Sequence, residues 1–237
     1  MSSLYLSGRG SGGVGRTLKI SGVLFDLDDT LIDRGSAFRR LAGKLYDAEP
    51  AIRNSHTRNE AVRLIEEFDK GGYSAKPYWW YVRERWPEIK RSDPEFTTWH
   101  EVTFPWCFEA SQGVLRLLDD MDRANLQWGI ITNGGPIQRR KIAACGLGDR
   151  ARCVVVSSEV GIAKPDSVIF EDGLKRLGVS ASSALFAGDN PYTDIAGAHA
   201  VGMKTAWVRM GRDYPQDAPR PDYTIERVTD LRPLLGL

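Results

Sequence analysis

Apolar residues recur along this chain in two alternating rhythms. Short, mostly apolar runs stand at Val23-Leu24-Phe25, Leu126 to Thr132, Arg152 to Ser157, Ala184 to Ala187 and Thr205 to Val208. Their length and β-branched content are those of buried strands. Between them lie stretches with apolar positions three and four apart: Ser111 to Met121, Pro136 to Ala144 closed by Gly146, Asp166 to Leu177 closed by Gly178, and the segment after Tyr192. That spacing is helical. Strands alternating with helices call for right-handed βαβ crossovers, so the expected class is α/β, a doubly wound parallel sheet covered on both faces. Tyr223 to Ile225 adds a short last strand, and Val228 to Leu235 a terminal helix.

The pattern from 36 to 105 differs, because no strand-like alternation occurs there. Helical periodicity places Phe38, Leu41, Ala42 and Leu45 on one face of a helix from Ser36 to Tyr46. It resumes at Ala61, Leu64, Ile65 and Phe68 and ends at Gly71-Gly72. Residues 73 to 106 then carry Trp79, Trp80, Trp86, Trp99 and Trp106. The block reads as a small all-helical insert with an aromatic core. The expected organisation is a flexible tail over 1–17, a core built from 18–35 and 106–237, and the insert over 36–105. Within the tail, Gly10 to Thr17 has the spacing of a phosphate-binding loop, but Arg16 stands where that loop needs lysine, and a strand, not a helix, is expected to follow.

Composition narrows the function. Lys plus Arg number 32 and Asp plus Glu 31, so no net field draws in nucleic acid or an anionic membrane, and neither is expected as a partner. No apolar run reaches the roughly 18 residues a membrane crossing needs. Cys107, Cys145 and Cys153 show no metal-ligand spacing, and an odd count argues against a disulfide framework. A cytoplasmic location is the expectation.

The polar residues at the strand ends carry the chemistry. The first strand delivers Asp26, Asp28, Asp29 and Thr30 together. Two like charges about 4 Å apart repel by on the order of 4 kcal/mol at an effective dielectric of 20. A metal ion or a buried lysine is therefore expected beside them. Thr132 and Asn133 follow the second strand, Lys164 the third, and Asp189 the fourth, with Asp194 five residues on. In a doubly wound sheet all of these emerge at the same edge, where ligands bind.

Asp26-x-Asp28-x-Thr30, Thr132, Lys164 and Gly188-Asp189-x4-Asp194 resemble the four motifs of the haloacid dehalogenase-like (HAD) hydrolase superfamily, and the insert enters where that family's helical cap does, after the first strand. The resemblance spans about 18–35 and 106–210. It implies a Rossmann-like core and a Mg2+-dependent phosphatase acting on a small phosphate ester. Asp26 would be the nucleophile, already ionised at neutral pH, and would form an aspartyl-phosphate. Asp28 would protonate the leaving alkoxide and then deprotonate water. Two residues apart on an extended chain, Asp26 and Asp28 would point the same way, and Leu27 into packing. Mg2+ would be held by Asp26, Asp189 and the Asp28 carbonyl, while Asp194 orients a water or Lys164. Thr132, Asn133 and Lys164 would bind the phosphoryl oxygens, helped by amides at Gly134-Gly135 before Pro136 opens a helix, and Pro165 would start another.

An acid at position 28 argues against a dehalogenase, since a departing halide needs no proton. A sugar phosphomutase and a catalytically idle binding module of the same fold remain as alternatives. Phosphoglycolate, sugar phosphates and nucleoside monophosphates are all open as substrates, and oligomeric state is unread. Asp29 is expected to be structural and Asp33 to cap the first helix of the insert. His56, His100, Arg53, Arg58, Arg83 and Arg85 are expected on solvated or packed faces, with substrate contact as the alternative reading.

Overall fold

The computed structural model describes residues 20–72 and 74–237; the glycine-rich stretch with its near match to a phosphate-binding loop lies outside them. The chain divides into two compact units. One comprises residues 20–32 together with Ala110–Leu237, and the other is Asp33–Glu109.

The first unit holds a six-stranded sheet with β1 Gly22–Phe25, β2 Gln127–Thr132, β3 Cys153–Val156, β4 Ala184–Gly188, β5 Lys204–Val208 and β6 Tyr223–Ile225. The order is β3-β2-β1-β4-β5-β6 and every pairing is parallel. Strand order therefore reverses between β1 and β4, which opens a crevice beyond their carboxyl ends. Phe25 pairs with Ile130 on one side and Ala187 on the other, so the residues after all three strands reach that crevice at one level.

The second unit contains α1 Arg34–Ala48, α2 Pro50–Ser55, α3 Arg58–Asp69, α4 Tyr78–Arg85 and α5 Asp93–Thr103. Its limits lie outside 36 and 105 at both ends. Asp33 accepts the Ser36 amide at 2.8 Å and starts α1 early, and Phe104, beyond α5, packs edge-on against Phe38. Tyr78 and Trp86 are buried here, whereas Trp106 is 74% exposed and so lies outside the aromatic core. Four arginines of this unit have partners within it: Arg53 caps the Tyr46 and Asp47 carbonyls, Arg58 pairs with Asp47, Arg83 with Asp93, and Arg85 with His56. His100 sits among Tyr78, Trp79 and Phe104.

The sheet is covered by α6 Gln112–Arg123, α7 Ile137–Ala144, the short α8 Ser157–Val160, α9 Ser167–Leu177, α10 Ala196–Ala200 and α11 Arg232–Leu235. Helix α9 lies across β1, β2 and β3, burying Ile169, Phe170 and Leu174 against Leu24, Ile131 and Phe186. It comes close because residue 173 is glycine; a Cβ there would sit 2.6 Å from Ile131. Among the described residues no helix is long and apolar enough to cross a membrane.

Candidate functional site

Asp26 remains part of the sheet, since its amide donates to the Ala187 carbonyl at 2.9 Å, and this fixes the carboxylate in the crevice. Lys164 reaches it from the loop after β3. Its Nζ lies 2.5 Å from Asp26 Oδ1 and 2.6 Å from Asp194 Oδ1, and the lysine is buried. Asp194 is delivered by a π-type turn, Pro191–Ile195, opened by Asn190, whose Oδ1 accepts the Tyr192 and Thr193 amides. Asp194 Oδ2 accepts the Asn190 amide at 3.0 Å. Asp189 completes the group: Asp26, Asp189 and Asp194 each offer an oxygen within 4.8 Å of the others.

This set is short of positive charge. Burial pushes the Asp26 carboxyl well above the ordinary carboxylate range; Lys164 pulls it back, and Asp194 and Asp189 push it further up. Burial, then the Asp194 charge, then that of Asp29 lift Asp189 to about 6 against the pull of Arg212. Burial opposes the charge on Lys164, but Asp194 and Asp26 outweigh it and hold the ammonium above its usual range. Burial and the acids around it thus oppose ionisation of Asp26, and Lys164 favours it. Three converging carboxylates with unmet charge fit a hard divalent cation that prefers oxygen ligands, such as Mg2+. Asp194 belongs to this oxygen cluster as well as orienting Lys164.

Asp28 departs from the expected geometry. The chain does not stay extended after Asp26; the amides of Thr30, Leu31 and Ile32 all turn back to the Leu27 carbonyl, and Asp29 adopts φ 57°. Leu27 is buried, as alternation predicts, but Asp28 faces α7. Lys141 Nζ stands 2.9 Å from both of its oxygens, and Gln138 Nε2 donates to Oδ2 at 2.9 Å. The same Nε2 donates to Thr132 Oγ1 at 2.6 Å.

Asn133 uses its side chain as a clasp. Its Oδ1 accepts the Lys164 amide at 2.8 Å and its Nδ2 donates to the Lys164 carbonyl at 2.9 Å, so it holds the loop that presents the lysine. One Nδ2 hydrogen is left for an anion. The Gly134 amide donates to Ser157 Oγ at 2.9 Å, which removes it from the expected phosphate cradle. Helix α7 begins at Ile137 with Pro136 as its cap residue, and α9 begins at Ser167, capped by Asp166, not at Pro165.

The sequence reading missed Gln138, Lys141 and Arg212. Arg212 donates to Asp189 Oδ2 at 3.0 Å, but from a loop with no regular pattern. Gln138 and Lys141 did leave a signal: positions 138, 141 and 142 of α7 and its cap residue Cys145 follow helical spacing, and all four are buried, so half of a core-facing stripe is polar. Gly188 leaves no room for a side chain. A Cβ there would lie 2.4 Å from Asp194 Oδ2. Gly188→Ala is expected to displace Asp194 and cost about 1–3 kcal/mol, read as a lower denaturation midpoint.

Comparison with known proteins adds four observations. A family model described as haloacid dehalogenase-like hydrolase matches residues 20–202. The glyceraldehyde 3-phosphate phosphatase of Pyrococcus furiosus is 32% identical over 234 residues, covering 92% of each chain. Among solved structures, a HAD phosphatase from Thermococcus onnurineus aligns with a TM-score of 0.63 at 24% identity, over 91% of this chain and 98% of that one. The L-2-haloacid dehalogenase from Xanthobacter autotrophicus aligns at 0.67 and 19% identity, over 92% and 98%; at that identity the likeness concerns the fold alone.

Proposed function

The chain belongs to the haloacid dehalogenase-like hydrolases and is a phosphatase, and we propose that it hydrolyses a small phosphorylated metabolite, with Mg2+, through an aspartyl-phosphate on Asp26. The observation that carries this reading is the buried Asp26–Lys164–Asp194 contact beside Asp189: a fixed oxygen nucleophile, its counter-charge and a cation-ready oxygen set in one crevice. Asp26, Asp189, Asp194 and the Asp28 carbonyl would hold Mg2+. Bound there, the ion would neutralise phosphoryl charge and favour the ionised form of Asp26.

In the first step an Asp26 oxygen bonds to phosphorus as the ester P–O bond breaks, and the Asp28 carboxyl hands its proton to the departing alkoxide. In the second, the Asp28 carboxylate takes a proton from water as the water oxygen bonds to phosphorus and the Asp26–phosphorus bond breaks. Inorganic phosphate leaves and both acids are restored. Lys164 keeps Asp26 aimed and spreads phosphoryl charge. Thr132 accepts from Gln138, which leaves its own hydrogen for a phosphoryl oxygen.

The test is phosphate release with and without Mg2+ over a panel of glyceraldehyde 3-phosphate, phosphoglycolate, phosphoserine, hexose phosphates and nucleoside 5′-monophosphates. Release from at least one ester, abolished by chelation, is expected. Isomerisation of a sugar phosphate without phosphate release would replace this reading with a mutase, and inactivity on every ester with a binding module.

A further inference from the structure

We propose that Gln138 and Lys141 are positioning residues for the proton-transfer carboxyl, locking Asp28 into register with the phosphate-binding hydroxyl of Thr132. The inference rests on the hydrolase reading and extends it to two residues outside the four motifs. Both sit on α7, three residues apart and hence on one face. They are 2% and 5% exposed. Burying an ammonium and a carboxamide is unfavourable unless each finds partners, and apolar side chains of similar volume would serve stability as well or better. The partners found here are chemical. Lys141 Nζ is equidistant, at 2.9 Å, from the two Asp28 oxygens, so it restrains both rotation and translation of the carboxyl.

Gln138 ties that restraint to the phosphate site. Both of its acceptors, Asp28 Oδ2 and Thr132 Oγ1, are met by Nε2, and with Asp28 ionised, as at the start of the second step, the carboxylate can only accept, which sets the amide orientation. One Nε2 hydrogen serves each. With its oxygen already accepting, the Thr132 hydroxyl has its own hydrogen to give, and the acceptor beside it, the Asn133 carbonyl, is a distant 3.5 Å away. The chain Lys141–Asp28–Gln138–Thr132 thus fixes the distance between the group that moves protons and the group that binds the phosphoryl oxygens. Positioning of this kind matters because proton transfer needs heavy atoms about 2.6–3.2 Å apart.

The experiment compares kcat/KM for p-nitrophenyl phosphate with that for an alkyl phosphate found active in the panel. This quantity reports steps up to departure of the leaving group; nitrophenolate leaves without a proton and an alkoxide does not. In Lys141→Met the alkyl-to-aryl ratio is expected to fall on the order of 10²-fold, the low end of what a positioned acid supplies. In Lys141→Arg, which restores two donors, it should recover in part. A variant in which both esters lose rate equally, or in which the ratio is unchanged, would overturn the inference and leave the hydrolase reading standing. Should Lys141→Met fail to give a cooperative melt, Gln138→Met, which keeps the volume and removes the donors, carries the test. Its ratio should fall several-fold, and an unchanged one overturns the inference. Wild-type protein that releases phosphate from neither ester overturns both readings.

Discussion

Asp26→Asn is expected to lower phosphate release by on the order of 10⁴-fold or more while the protein stays folded. The loss is large because the carboxamide removes the oxygen to which phosphorus would be transferred, and no neighbouring group replaces it; knocking out a nucleophile typically costs about as much as losing the whole catalytic group set. Folding should survive because Lys164 keeps Asp194 at 2.6 Å and because one of three mutually repelling carboxylates has gone. In metal-free buffer at pH 7–8 the variant should melt at or above the wild-type temperature. The sign follows from the raised Asp26 carboxyl: in the folded protein it holds its proton to higher pH than in the unfolded chain, so its contribution to stability declines as pH rises through its folded pKa. The stabilisation that Mg2+ brings to the wild type should shrink in the variant. Full activity in Asp26→Asn would end the aspartyl-phosphate mechanism, and a collapsed melt would show that Asp26 is needed for the fold itself.

The periodicity of the chain was enough for the parallel sheet, since each buried strand and each stop residue is a local feature. Gly146 and Gly178 both take positive φ at helix ends, where their lack of a Cβ suits them. The convergence of Asp26, Lys164, Asp189 and Asp194 was legible for a related reason. In a doubly wound sheet every residue that follows a strand arrives at the same edge, so strand ends alone bring these groups near one another. What was not legible is where a side chain goes once the strand is over. Asp28 was placed by extending the alternation of β1 past its end, and the turn built on the Leu27 carbonyl breaks that alternation. Its partner Lys141 is 113 positions away, and no local pattern links the two. Asn133 shows the same limit: an amide after a strand suits anion binding, and only the fold reveals that it clasps the main chain of Lys164.

Lys164→Met should be the most destabilising single change in the crevice, and its cost should grow with pH. Lys164 is the buried counter-charge of Asp26 and Asp194. Removing one partner of a buried ion pair leaves an uncompensated charge and typically costs about 3–5 kcal/mol. Lys164 itself adds no pH dependence near neutrality. Its folded pKa lies above the unfolded value of 10.5, so its contribution is complete below that value and constant from pH 5 to 8. The acids supply the slope. Asp189 titrates at about 6 in the folded protein against 3.8 for a free carboxyl, so between those values the folded state binds more protons than the unfolded one and stability falls as pH rises. That slope is common to wild type and variant and cancels in their difference. Without Lys164 the pull that holds Asp26 down is lost, so in the variant Asp26 keeps its proton to still higher pH and its share of this trend grows. Chemical denaturation in the presence of a chelator at pH 5, 6 and 8 is therefore expected to give a wild-type minus variant difference that widens with pH, and Mg2+ should recover part of it at pH 8. A difference that stays flat across this range would mean that the acids are compensated by something other than Lys164, and the charge argument for the metal would fall with it.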